Sequence, residues 1–492
     1  MPSLSAQVHS RLDHPVIDSD GHLFEFYPMF VDYLKSEAGG GAADRMTKTF
    51  ANSVVGSLWF KLTPEQRRER RVTRPGFWSV PTRRAEDLAT TILPRLLYQR
   101  MEDIGLDYAV LYPSMGIGAI HFSDEELRRA ACRALNRMFS DQYRDYADAI
   151  TPAGLIPMHT PQEAIDELEY AVGQLGLKVV LLPGYVRRPI AEVARKYPDA
   201  ARHAFWLDTY GVESEHDYDP VWAKCQELKV ACTFHSLGTG WGSCASSTSF
   251  MYNHIGHFAA AGEAICKSLF LGGVTRRFPV NFAFLEGGVG WARSLLAGII
   301  GHWSKRNLAA LANYDPRNLD LKKFGELMVR YGDEMTKSYG RDVTLSDVAH
   351  KFLPAAFKAF DTELPSEDLN LLDEWAQCGI ETVEDIGKLF APFYFGCEAD
   401  DPVTASAFDA KHNPLGVRLN AVFGSDIGHW DVPDMTEVLE EAYEPVEEGK
   451  MTAEDFKDFV FTNPVKLWTG GNPDFFKGTR VEAAVKHLLR SG

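Results

Sequence analysis

Four side chains of metal-binding type stand where apolar runs give way to loops. Asp20 and His22 end the run at 16–20, His235 closes the run at 230–234, and Asp426 follows the run at 421–424. Asp20 and His22 are two apart, so on a strand both point the same way. Two imidazoles and two carboxylates form a mixed nitrogen and oxygen donor set, suited first to zinc and acceptable to iron or manganese. A divalent cation held this way, with one position left open, lowers the pKa of bound water toward neutrality or polarises a substrate oxygen. Asp-Gly-His alone also describes a surface turn. Its conjunction with a strand-end His and a strand-end Asp is what points to a metal.

Further candidates surround this set. Glu286, after the run at 282–285, is open to three roles: ligand for a second metal, general base, or structural carboxylate paired with Arg276 or Arg277. His254 and His257 are three apart, so on one helix they share a face; His254 is the stronger acid-base candidate because it follows the loop from His235. Glu398, in an acidic cluster with Asp400 and Asp401, could reach a second cation or sit in a solvated turn. His429, three past Asp426, is placed for acid-base work or to orient that carboxylate, and Asp426 itself could accept a proton.

The elements that must position these residues are eight short apolar runs, at 16–20, 108–113, 150–158, 178–183, 230–234, 282–285, 393–395 and 421–424. Helical segments separate them, among them 123–143, where Ser123 and Glu126 suggest a capping box, and 219–228. Eight parallel strands with helices between them close a (β/α)8 TIM barrel, which places strand-end residues at its C-terminal mouth. Two insertions interrupt the pattern, one at 28–94 after the first strand and a charged helical one at 303–387 after the sixth. The expectation is a single decorated barrel over 1–492, with the insertions available as a cap or a subunit contact.

At these residues the sequence resembles the amidohydrolase-related family, also called amidohydrolase type 2. The resemblance rests on Val16-Ile17-Asp18-Ser19-Asp20-Gly21-His22, Thr233-Phe234-His235-Ser236, Phe423-Gly424-Ser425-Asp426-Ile427-Gly428-His429-Trp430 and Asn463-Pro464-Val465-Lys466-Leu467-Trp468. It implies metal ligands at Asp20, His22, His235 and Asp426, and an activity among hydrolases and non-oxidative decarboxylases. Two departures matter. Many relatives end strand six with a His that serves as acid or base, where this chain has Glu286; and Pro183-Gly184 follows strand four, with no lysine to bridge two metals as a carbamate.

With Glu286 in place of that His, the expectation tips to a metal-dependent hydrolase that activates water at a divalent cation to cleave an amide, ester or thioester of a small, apolar or aromatic carboxylic-acid derivative. Decarboxylation of an aromatic or unsaturated acid is the alternative, disfavoured by Glu286. A barrel that has lost activity and serves as a binding protein is a third, with all four ligand types intact against it. Trp291 and Trp430, ahead of Trp241, are the aromatic residues that suggest an apolar substrate.

Composition excludes other classes. A net charge of -17 repels nucleic acid, and no apolar stretch reaches the roughly 20 residues of a membrane span. Seven scattered cysteines with no CxxC pair, and an N-terminus without a basic-then-apolar leader, suggest a cytoplasmic protein. No phosphate loop appears, so the expected partners are a small-molecule substrate and, through the insertions, a homo-oligomer.

Overall fold

The computed structural model describes residues 2–52, 58–76, 80–235, 244–334, 336–356 and 372–491. Trp241 and the first half of the loop at 238–249 lie outside the described residues.

Among the described residues there are ten strands: β1 Ile17–Leu23, β2 Tyr108–Pro113, β3 Ile150–Leu155, β4 Val179–Leu182, β5 Val186–Pro189, β6 Phe205–Asp208, β7 Cys232–Phe234, β8 Phe282–Phe284, β9 Phe393–Glu398 and β10 Asn420–Gly424. Eight of them form one parallel sheet in the order β1-β2-β3-β4-β7-β8-β9-β10, while β5 and β6 pair antiparallel as a separate hairpin. The sheet closes on itself just past β10. Asp426 N donates to Asp20 O at 3.0 Å, and His22 N donates to Ile427 O at 2.9 Å. The fold is a (β/α)8 barrel, each of whose strands falls on one of the eight apolar runs.

These runs become barrel strands because helices and barrel interior bury both faces, so little polar alternation is needed. Every residue of β1, β2, β3 and β4 is buried. On the far side the core is aromatic: the rings of Phe234 and Phe284 stack at 5.6 Å, and those of Phe284 and Phe395 at 6.1 Å.

Local details depart from expectation. Asp20 and His22 lie inside β1, which continues to Leu23, and the pairing with β2 slips between Asp18 and Gly21. The helix expected at 123–143 runs Glu125–Tyr143, and its cap is Asp124, whose side chain accepts from Leu127 N; Ser123 is not the cap. The expected 219–228 helix is Asp219–Leu228. His254 and His257 do not share a helix: Phe250–His254 ends before Gly256, whose φ of 75° breaks the chain ahead of His257–Leu271.

The first insertion contributes the helices Tyr27–Asn52 and Ala85–Ile92 and grips the loop after β7. Trp59 Nε1 donates to Ser247 O at 2.9 Å, Arg74 N donates to Ser246 O at 2.9 Å, and the Arg67 guanidinium lies 3.5 Å over the Trp59 ring. Residues Ala297–Ile386, close to the second insertion, form a compact unit of their own, and the remainder of the chain forms the other. No helix among the described residues is long and apolar enough to cross a membrane.

Candidate metal centre

The donors converge from four strand ends. Asp20 and His22 come from β1, His235 follows β7 directly, Glu286 lies two residues past β8, and Asp426 lies two residues past β10. Glu286 and Asp426 both have left-handed backbone, with φ of 54° and 49°. Side chains rarely adopt this conformation without surroundings that impose it, and such positions gather at functional sites. Here the turn swings each carboxylate back over the end of its strand.

Glu286 Oε1 lies 3.1 Å from His22 Nε2, 3.0 Å from His235 Nε2 and 3.1 Å from His429 Nδ1. The two Nε2 atoms of His22 and His235 are 3.3 Å apart, and Asp426 Oδ1 is 3.3 Å from His22 Nε2. Two groups of donors result, Asp20-His22-His235-Glu286 and His22-Glu286-Asp426-His429, with all atoms in each within 4.8 Å of one another. His22 offers Nε2 to both groups, and one imidazole nitrogen has one lone pair. The groups overlap at His22 and Glu286, and His22 can serve only one ion at a time.

The arrangement fits a divalent cation. Donors about 2.1 Å from a common ion stand about 3.0–3.4 Å from one another for right-angle to tetrahedral placement, which matches the spacing around Glu286 Oε1. Although so close to nitrogen, Glu286 Oε1 makes no hydrogen bond of proper geometry, and neither do the buried Asp20 Oδ1 and Asp426 Oδ1. Atoms that crowd one point without bonding one another are arranged around something else. Three carboxylates share this buried place, and charge compensation by a cation is the ordinary remedy.

Electrostatics follow from the same crowding. Burial, then the Glu286 charge, drives Asp426 well above the ordinary carboxylate range; burial does the same to Asp20, although His235 opposes it. Glu286 moves the other way, because His235, His22 and His429 together outweigh its burial and hold it well below the usual range. Burial and then His429 push His22 well down, whereas for His235 the Glu286 and Asp20 carboxylates overcome burial and raise it.

Of the sequence candidates, Asp20, His22, His235, Asp426, Glu286 and His429 are brought together; His254 and Glu398 are in neither donor group. Glu286 meets imidazoles, and Arg277 instead makes a paired contact with Asp219 at 2.9 and 2.8 Å. His429 Nδ1 is 2.7 Å from Asp426 Oδ1, its ring stacked on His22 at 3.6 Å. His254 stands farther out, its ring 5.6 Å from that of Trp430. Glu398 is pushed up to about 9 by burial and then by the charge of Glu286. Trp291 packs edge-on against Phe284 at 5.7 Å, a core contact; Trp430 is 38% exposed and can face a ligand.

One member went unread in the sequence. Asp18, fully buried, accepts from Asp20 N and Ser425 N, both at 3.0 Å, and so fixes the backbone beside two ligands. The alternation Asp18, Asp20, His22 was the available signal.

Comparison with known proteins gives the family. No curated protein sequence matches the chain. Among solved structures it is similar to the amidohydrolase map2389c from Mycobacterium avium subsp. paratuberculosis K-10, at 15% identity and TM-score 0.51, over 93% of this chain and 100% of that one. It is also similar to Metarhizium anisopliae IDCase, at 12% identity and TM-score 0.50, over 94% and 98% of the two chains. A 2,6-dihydroxybenzoate decarboxylase aligns at 11% identity and TM-score 0.45, over 93% and 99%. The family model described as amidohydrolase matches residues 17–315, well over half of the 492, and the chain belongs to that family of enzymes.

Proposed function

We propose that the protein is a metal-dependent hydrolase that cleaves an amide, ester or thioester of a small, apolar or aromatic carboxylic-acid derivative. The observation that carries this reading is the place of Glu286 Oε1, about 3 Å from both His22 Nε2 and His235 Nε2. A residue so placed is a ligand and not an acid standing off from the metal. Asp20, His22, His235, Glu286 and Asp426 then offer five donors to one ion, which leaves little room for an acid to chelate through two oxygens, as the decarboxylation alternative requires. A single carbonyl or water oxygen needs only one place.

The two imidazoles favour zinc over magnesium or calcium, and the bound cation would supply Lewis-acid polarisation of that oxygen. The chain's own residues do the rest. His429, its Nδ1 2.7 Å from Asp426 Oδ1 and its side chain 21% exposed, is placed to carry a proton to the leaving group. A cavity of about 730 Å³ is lined by Trp430, the chain neighbour of His429, and by Val80, Pro81, Phe250, Met251 and Pro433 beside the charged Arg83, Arg84, Asp434 and Glu437, and its apolar walls support a substrate with an apolar body.

Purified protein assayed against esters, amides, thioesters and hydroxybenzoates tests the proposal. Acyl cleavage with one bound ion per chain is expected. Stoichiometric carbon dioxide without acyl cleavage makes the enzyme a decarboxylase and overturns it. No turnover in a metal-loaded protein favours the binding-protein alternative.

A further inference from the structure

His257 opens the helix His257–Leu271 and is 6% exposed. Its Nδ1 is 2.5 Å from the backbone oxygen of His254. A carbonyl only accepts, so Nδ1 carries the proton, and in the neutral ring Nε2 is left as a bare acceptor. Burial pushes the imidazole down to about 4, which keeps it neutral in ordinary buffers. That Nε2 is buried and has no hydrogen-bond partner among the described residues. Buried acceptors are rarely left unmatched, and each one calls for an explanation.

The surroundings supply one. The His257 ring lies 3.9 Å from that of Phe258, and the Phe258 ring stands edge-on to His235 at 5.1 Å. The His257 ring also meets that of His254 at 4.6 Å, and the His254 ring meets that of the exposed Trp430 at 5.6 Å. The charges of Glu286 and His235 both act on His257. The unmatched acceptor thus lies beside the metal centre, one ring behind a ligand.

We propose that His257 is a specificity residue whose Nε2 accepts a hydrogen bond from an N–H or O–H of the substrate, so that the site selects acyl derivatives carrying a donor beside the scissile carbonyl. This rests on the hydrolase reading for the kind of substrate. A site built to match a donor rejects analogues that lack it, because its own polar group is then left unpaired. Amides with a free N–H are favoured over N,N-dialkylated ones.

Long-range proton–nitrogen NMR of the metal-loaded enzyme, with benzamide and N,N-dimethylbenzamide as probes, tests it. The free enzyme should show His257 protonated at Nδ1 and bare at Nε2. Benzamide should move the Nε2 resonance, and the dimethylated probe should not. His257→Phe should weaken benzamide binding about tenfold or more and spare the other probe. His257→Gln, whose Oε1 can accept in place of Nε2, should largely restore it. A proton on Nε2, no movement with either probe, or equal movement with both overturns the proposal. The wild-type spectra decide even if the Phe variant does not fold. Because binding is read and not turnover, failure of the hydrolase reading would show separately, in the substrate panel.

Discussion

The hydroxyl of Ser425 donates to Asp18 Oδ2 at 2.6 Å, joining residues 407 positions apart in the chain. Asp18 thereby sets Asp426, its neighbour in the loop, against Asp20, its neighbour on the strand. Supports of this kind orient ligands and cost about 10–100-fold in metal affinity or activity when lost. Asp18→Asn should weaken metal binding by that order, as read by chelator competition, with the barrel still folded by circular dichroism. Unchanged affinity would mean that the ligands hold themselves.

Removal of a direct donor is more severe. His235→Ala and Asp426→Ala should each purify with little or no metal and lose activity by about 100-fold or more. Elemental analysis and the substrate panel give the two readings together. Turnover retained in both variants would exclude the centre.

Gly428 has φ of 101°, and a Cβ there would stand 2.9 Å from the backbone oxygen of His22. Gly428→Ala should destabilise the fold by more than about 1 kcal/mol. Because the strain presses on a ligand's own backbone, metal affinity should fall with it. Chemical denaturation with and without added zinc would separate the two effects; stability equal to wild type would refute the contact.

A pH effect is expected far from the centre. His9 Nε2 is 2.7 Å from Asp107 Oδ2, and that hydrogen bond, outweighing burial, raises the imidazole above its ordinary value. A raised histidine binds its proton more tightly folded than unfolded. The stabilisation is therefore complete below about pH 6.5 and fades as pH rises through the folded value. His9→Gln should cost up to about 1 kcal/mol near pH 5.5 and less by pH 8, measured as urea midpoints. A pH-independent cost would show that packing, not charge, is lost.

The barrel was legible because its strands are buried on both faces and read as uninterrupted apolar runs, such as Val179–Leu182. His235 and Asp426 were legible because strand ends are where such a fold puts its chemistry. Asp18 was not, since a supporting carboxylate and a ligating one look alike at alternate positions. The break before His257 hid in one glycine within an otherwise helical pattern. The hairpin of β5 and β6 has only four residues in each strand, too few for a period to stand out. Glu286 was placed but its role stayed open, because ligand and base differ by an ångström or two that spacing does not encode.

The hydrogen bonds that seal the barrel, from Asp426 to Asp20 and from His22 to Ile427, join the backbones of ligands or of a ligand's neighbour. During synthesis a growing chain that has not yet made its last strand has both histidines and no finished centre. Asp426 and the bonds that seal the barrel arrive together, so closing the ring and completing the donor set are one event.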